Sequence, residues 1–378
     1  LKTLIKYFSF PLLIFPLFNQ IYPADSTRVT KICNGATLVE YYLDGPIAIK
    51  ELILNLDSIR IGNQLARNYL GNGGEKTSEI FKRVFKNNHK LIAAVNADFF
   101  GGNPHRVLNS MVKNRRIVKG VNIGKSQFAV DQQGNPSIGI FRFKGNVFTA
   151  DFSFIVKYFN SVKNKPSIFN FYFNKLFRKY SLSGGIIFKA LKPVMVADTI
   201  PIVIERKFTS LFADTLNANE LFLNLNNNEI RRNFRNYQKG DTLNFVASFD
   251  SLNTPFETLV GGRPRLILKG KALENFFGLE GLHSSWFIGK NPRTAIGFNK
   301  SRNKLFVIVV DGRQAGYSIG MSLPELSIFL RKEGAYEALN LDGGGSATIV
   351  VNGVIVNLPS DSAGERPVHN ALLFFKKR

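Results

Sequence analysis

Apolar residues recur at every second position through the first part of the chain. Residues 27 to 61 contain ATLVEYYL and AIKELILNL, and that period predicts paired strands with one face buried. The period changes from Thr77 to Asn88, where Ile80, Phe81, Val84 and Phe85 share one face of a helix. KLIAAVNADFFGG follows as an apolar strand ending in Asn96, Asp98 and a glycine pair, and short strands and turns continue from 105 to 148. Between 150 and 190 no period survives. FNSVKNKPSIFNFYFNKLFRKY mixes aromatics, asparagine and lysine, and reads as a variable insertion elaborating the surface. NLNNNEIRRNFRNYQKGD reads as a polar turn region between strands.

The last third is the most regular. KLFVIVVDGR is an apolar run of strand length ending in Asp311, as expected of a strand buried on both faces. SLPELSIFLRKEGA then carries helix punctuation, with Ser322 as cap, Glu325 three residues on and Gly334 as stop. EALNLDGGG is a second strand ending in an aspartate. Strand, helix and strand predict a βαβ unit with its two strands parallel, which puts Asp311 and Asp342 on one edge of the sheet, where open α/β sheets bind ligands. After the glycines, SATIVVNGVIVN reads as a hairpin turning at Asn352-Gly353 in type I′ geometry. The expected class is α/β in the mixed α+β sense. Its parts are a mixed β-sheet core with the C-terminal βαβ unit and flanking helices, and a β-rich middle segment. The expected segments are 1–24, 25–150, 151–256 and 257–378.

Composition narrows the function classes. With 378 residues and 44% hydrophobic side chains, the chain can bury a large core. Lys2 and Lys6 precede an apolar stretch from Phe8 to Phe18, broken by prolines, with a polar exit near Ala24. This is the layout of a secretory signal peptide, and it predicts a periplasmic or secreted monomer with no stable membrane span after cleavage. Cys33 is the only cysteine, which excludes an intrachain disulfide and a cysteine zinc site; the four histidines form no i, i+4 pair. The net charge of +23 attracts anions. It is spread along the chain without any nucleic-acid-binding signature, so the expected partners exclude nucleic acid and include anionic glycans.

The triplet Gly343, Gly344 and Gly345 beside Asp342 is open to two readings. Successive N–H groups can form an anion-binding nest, or glycine can serve a tight connection that needs positive φ. No lysine follows as a P-loop requires.

Several ordered motifs go further: VNADFFGG (95–102), GGRPRLIL (261–268), NPRTAIGF (291–298), VVDGR (309–313), GMSLPELSIFL (320–330), LNLDGGGSATIVVNG (339–353) and NLPSDSAGERPVHNALL (357–373). In this order they resemble the phosphodiester glycosidase family, closely over about 257 to 375. The resemblance implies hydrolysis of a sugar linked through its anomeric carbon to a phosphodiester. Arg293, Arg313 and Arg366, with Thr294, Ser346 and the glycine triplet, would then hold the phosphate. Asp342 and Asp98 are the preferred catalytic carboxylates, with Glu365 and Asp311 as further candidates and Asp361 as a loop organiser. Asn96 and Asn340 would hold sugar hydroxyls or a metal. The sequence departs from the family pattern at Ala97, Arg263 and Arg265, which bears on sugar identity. No cofactor is implied with certainty, and a divalent cation is left open. Two other classes remain: a metal-dependent phosphodiesterase using Asp98, Asp311 and Asp342, and a non-catalytic protein of exopolysaccharide assembly or binding.

Overall fold

The computed structural model describes residues 25–377 apart from 163–165, 181, 213, 251–254, 274–275, 277–278 and 283, so the expected signal segment lies outside the described residues. The apolar run Lys304–Val310 is a central strand serving two cores. Leu305, Val307 and Val309 pack with Leu52, Leu54, Ile296 and Leu339 on one face. Phe306, Ile308 and Val310 pack under Leu323, Leu326 and Leu330 of the helix Leu323–Lys332 on the other. A strand covered on both sides has no polar face to alternate with, which is why the sequence shows an unbroken apolar run.

The first of those cores is shared with a second sheet, which supplies Ala93, Val95, Ile349, Leu372 and Phe374. The far face of that sheet is covered by Ile80 and Phe81 of the helix Thr77–Phe85, which ends three residues before the expected Asn88. The body is thus layered helix, sheet, sheet, helix, with strand predominating. Ser322 and Glu325 form the expected capping box, Gly334 has φ +98°, and Asn352 and Gly353 both take positive φ at the hairpin turn.

The two strands of the expected βαβ unit run the same way in one sheet, but not as neighbours. The first sheet runs Ser26–Cys33, Ala36–Leu43, Ile47–Asn55, Lys304–Val310, Arg293–Phe298, Glu337–Asn340, Arg265–Leu268 and Lys271–Ala272, every neighbour antiparallel. Lys304–Val310 and Glu337–Asn340 do point the same way, but Arg293–Phe298 lies between them, antiparallel to both. The short turn at 299–303 closes a local hairpin, and that hairpin occupies the edge the crossover strand would have joined. Val310 stands opposite Arg293 and Asn340 opposite Ala295, so both strands end at the same end of the sheet, beside Pro292.

The stretch 150–190 is also not a surface elaboration. Phe159 and Ile168 enter the core of a third, eight-stranded sheet, and Phe169, Phe173 and Phe177 are buried in an adjoining cluster. Strands of two and three residues alternate there with 3-10 turns, so no period persists long enough to be read.

Candidate active site

Where the strands Lys304–Val310 and Glu337–Asn340 end, a cleft of about 360 Å³ opens. Asp342 stands half-buried on its wall together with Arg293, Arg313 and Arg366. The main chain at Asp342 is fixed from both sides: its N–H donates to the carbonyl of Ala97 at 2.9 Å, and its carbonyl accepts from Asn96 Nδ2 at 2.5 Å. Asn96 Oδ1 in turn accepts from Thr294 Oγ1 at 3.0 Å and from the Thr348 N–H at 3.1 Å. Asn96 and Thr294 were expected to touch ligand. The structure instead buries them beneath the cleft, where their polar groups are spent on holding Asp342. Burial pushes the Asp342 carboxyl up to about 6, against the opposing pull of the Ser346 hydroxyl, the Arg366 charge and the Gly343 amide.

Asp98 lies under this wall, not on it. It is 1% exposed, and its carboxylate accepts from the Asn109 N–H at 3.1 Å and from Asn109 Nδ2 at 2.6 Å. Its own N–H donates to Asn370 Oδ1 at 2.8 Å. Loss of hydration raises this carboxyl well above the ordinary range, and the charge of Asp342 adds to the effect. Gly261 is needed here, because a Cβ would overlap the Asp98 carboxylate and Asn109.

Each arginine of the wall is held differently. Arg293 is buried, with Nε donating to the Met321 carbonyl at 2.9 Å and Nη2 to the Gly289 carbonyl at 2.7 Å; among the described residues Nη1 has no protein partner. Burial, then the charge of Arg313, lowers its guanidinium to about 10. Arg313 is exposed and held by Asn291 Oδ1 at 3.0 and 3.3 Å. Arg366 forms a two-pronged ion pair with Asp361 at 2.7 and 2.9 Å.

Two amides of the glycine triplet are turned to uses other than an anion nest. The Gly344 N–H is spent on the Pro292 carbonyl at 2.9 Å, and the Gly343 amide favours the Asp342 carboxylate. The glycines are there because other groups come close. A Cβ at Gly343 would lie 2.7 Å from the Pro292 carbonyl oxygen, one at Gly344 would lie 3.2 Å from Arg313 Nη2, and one at Gly345 would overlap the Asp361–Arg366 pair. Gly344 also has φ +60°. Gly344→Ala should therefore cost about 1–2 kcal/mol in strain and press on Arg313, a change visible as a lower Tm with a raised KM.

Two further candidates sit elsewhere. Asp311 is buried and accepts from Asn357 Nδ2 at 3.0 Å, the Leu358 N–H at 3.0 Å and the Tyr317 hydroxyl at 2.9 Å, so it organises the loop at 357–358. Glu365 accepts from the Ser78 N–H at 2.8 Å and from Ser78 Oγ at 2.6 Å, which satisfies the first turn of the helix Thr77–Phe85. An aspartate after a strand and a glutamate in a polar loop look the same in sequence whether they face a cleft or tie down a chain. Glu365→Ala should lower Tm, costing about 1–3 kcal/mol, and leave KM unchanged.

Asn340 is on the cleft lining, its Nδ2 donating to the Arg263 carbonyl at 2.7 Å. The cleft also uses residues that the sequence reading missed: Phe99, Asn291, Pro292 and Trp286. Trp286 is the only tryptophan in the chain, a usable signal. Nothing in the sequence marks Asn109.

Comparison with known proteins points to one family. Residues 207–375 match the family described as phosphodiester glycosidase. Over that stretch the chain is similar to phosphodiester glycosidases. Over 71 residues it is 44% identical to the N-acetylglucosamine-1-phosphodiester alpha-N-acetylglucosaminidases of Bos taurus and of Homo sapiens, a match covering 19% of this chain and 13% of each relative's length. Among solved structures, a hypothetical protein from Synechocystis aligns with 94% of this chain and 64% of its own at a TM-score of 0.72 and 19% identity. A putative exported protein from Burkholderia pseudomallei aligns with 87% of this chain and 74% of its own at a TM-score of 0.63, also at 19% identity. These two likenesses show a shared fold. The phosphodiester glycosidase match includes Asp342, Arg293, Arg313 and Arg366 and leaves Asn96, Asp98 and Phe99 outside it.

Proposed function

We propose that the cleft hydrolyses the anomeric C–O bond of a sugar 1-phosphodiester, releasing the free sugar and a phosphomonoester. The observation that carries this is the placement of the Asp342 carboxyl on one wall with three guanidinium groups. A phosphodiester has a single negative charge, which Arg313 and Nη1 of Arg293 can take by charge-assisted hydrogen bonds. The phosphate is already a fair leaving group. What remains is to stabilise positive charge developing at the anomeric carbon and to deliver water there, the work of a carboxylate held beside it. Asp342 supplies that carboxylate. Asp98 acts through it as a buried neighbour and does not touch substrate, a narrower role than the sequence reading gave it.

Arg313 makes its described side-chain bonds to Asn291 alone, so Arg313→Ala should keep Tm and raise KM about tenfold or more, as expected for one charged hydrogen bond. The reading is tested by offering the protein a panel of sugar 1-phosphodiesters and identifying the products. Free sugar with a phosphomonoester supports it; binding without turnover would make the protein a glycan binder. The metal-dependent alternative calls on Asp98, Asp311 and Asp342 together, and Asp311 is buried and already engaged by Asn357, Leu358 and Tyr317. The apolar segment at 8–18 supports a reaction outside the cytoplasm. Mass spectrometry of the native protein should then find a mature N-terminus near Asp25.

A further inference from the structure

Phe99 and Trp286 give the cleft lining an aromatic surface, and Arg263, which is not part of that lining, is stacked on both rings. Phe99 and Trp286 pack with ring centroids 5.9 Å apart. The Arg263 guanidinium lies 5.6 Å from the Phe99 centroid and 5.3 Å from the Trp286 centroid. Stacking of this kind occupies the flat face of a guanidinium and leaves its edge N–H groups free for acceptors in the plane. Among the described residues no hydrogen bond or ion pair engages the Arg263 side chain. Lys125 adds to the charge: its ammonium is lowered by burial and then by Arg263, with Glu280 opposing.

The nearby acid cannot neutralise both. The Glu280 carboxylate accepts from the Ser126 N–H at 2.9 Å, Ser126 Oγ at 2.5 Å and the Arg265 N–H at 3.3 Å, while the Lys125 ammonium goes to its main-chain carbonyl. Elsewhere in the cleft the charges balance once substrate is bound. Arg366 is paired with Asp361, and Arg293 and Arg313 face ionised Asp342 and the single charge of a phosphodiester. The positive charge at Arg263 and Lys125 therefore exceeds what a neutral sugar would require.

Resting on the sugar-phosphodiester reading of the cleft, we propose that the sugar lying against Phe99 and Trp286 carries its own carboxylate, and that Arg263, backed by Lys125, recognises it. A planar carboxylate matches the free edge of a guanidinium in two parallel hydrogen bonds, which a sugar hydroxyl cannot do. The preferred substrate class is then a hexuronate 1-phosphodiester.

Calorimetry at pH 7 with glucose 1-phosphate and glucuronate 1-phosphate tests this on the whole chain. The unmodified protein should bind the uronate about tenfold or more tightly, the range of a hydrogen bond to a charged group. Arg263→Met keeps the side chain's bulk and should bring the two affinities together without weakening glucose 1-phosphate, and Arg263→Lys should retain part of the preference. Equal affinities in the unmodified protein would overturn the assignment. So would a preference surviving in Arg263→Met, or loss of both ligands there, which would make Arg263 a packing residue only. Turnover of the corresponding methyl phosphodiesters is followed in parallel. Preference without turnover keeps this assignment and removes the hydrolase reading, whereas turnover without preference does the reverse.

Discussion

Asp342→Asn is expected to lower kcat by about 10²–10⁴-fold, the usual contribution of a positioned acid–base group, while Tm stays level or rises. The two effects have one cause. Burial holds the Asp342 carboxyl at about 6, above its unfolded value, so between about pH 4 and pH 6 the folded chain binds more protons than the unfolded one. Stability contributed by this group is present at low pH and is lost as pH rises through about 6. At pH 7 the full penalty applies, and asparagine removes it. Activity runs the opposite way, since the ionised carboxylate does the work. Turnover of the unmodified protein should fall as pH drops below about 6, and the residual turnover of Asp342→Asn should lack that limb. A variant that keeps full kcat, or one that loses activity only because it unfolds, would remove Asp342 from the chemistry.

The second large effect is expected at Gly345. Its added Cβ would overlap both Asp361 and Arg366, which form a paired and half-buried unit that cannot step aside separately. Overpacking of this kind costs about 1–3 kcal/mol, and a displacement of about 1 Å at a reacting wall can cost about a hundredfold in rate. Gly345→Ala should therefore lose more activity than Gly344→Ala, whose Cβ meets the movable end of the exposed Arg313 side chain. Turnover and Tm measured on both variants give the comparison. If Gly344→Ala is the more damaged, the triplet matters through positive φ at its centre and not through the ion pair beside its end.

The legible parts of the fold were those where one local cause acts alone. The capping box at Ser322 and the Asn352-Gly353 turn are fixed by neighbours a few residues away. The unbroken apolar run at 304–310 reports burial on both faces, and the common direction of that strand and Glu337–Asn340 follows from the helix joining them. The insertion of Arg293–Phe298 between them could not be read, because it depends on which of two partners reaches a free edge. Site chemistry behaved similarly. Asp342 and the arginines were marked by their motifs, whereas the placement of Asp98, Asn96 and Thr294 beneath the wall depends on contacts such as Asn109 with Asp98 and Thr294 with Asn96, 198 positions apart. The glycine triplet shows both sides. Its need for space was evident, but the occupants of that space are a carbonyl, an arginine and an ion pair from other parts of the chain.

The central claim is that the bond broken lies between the anomeric carbon and oxygen, with Asp342 beside it. Hydrolysis in ¹⁸O-labelled water tests this directly, since the incoming oxygen stays on whichever atom was attacked. The cleft described here predicts label on the sugar's anomeric hydroxyl and none in the phosphomonoester. Label in the phosphomonoester and none in the sugar would mean attack at phosphorus, and would make the protein a phosphodiesterase built on the same fold.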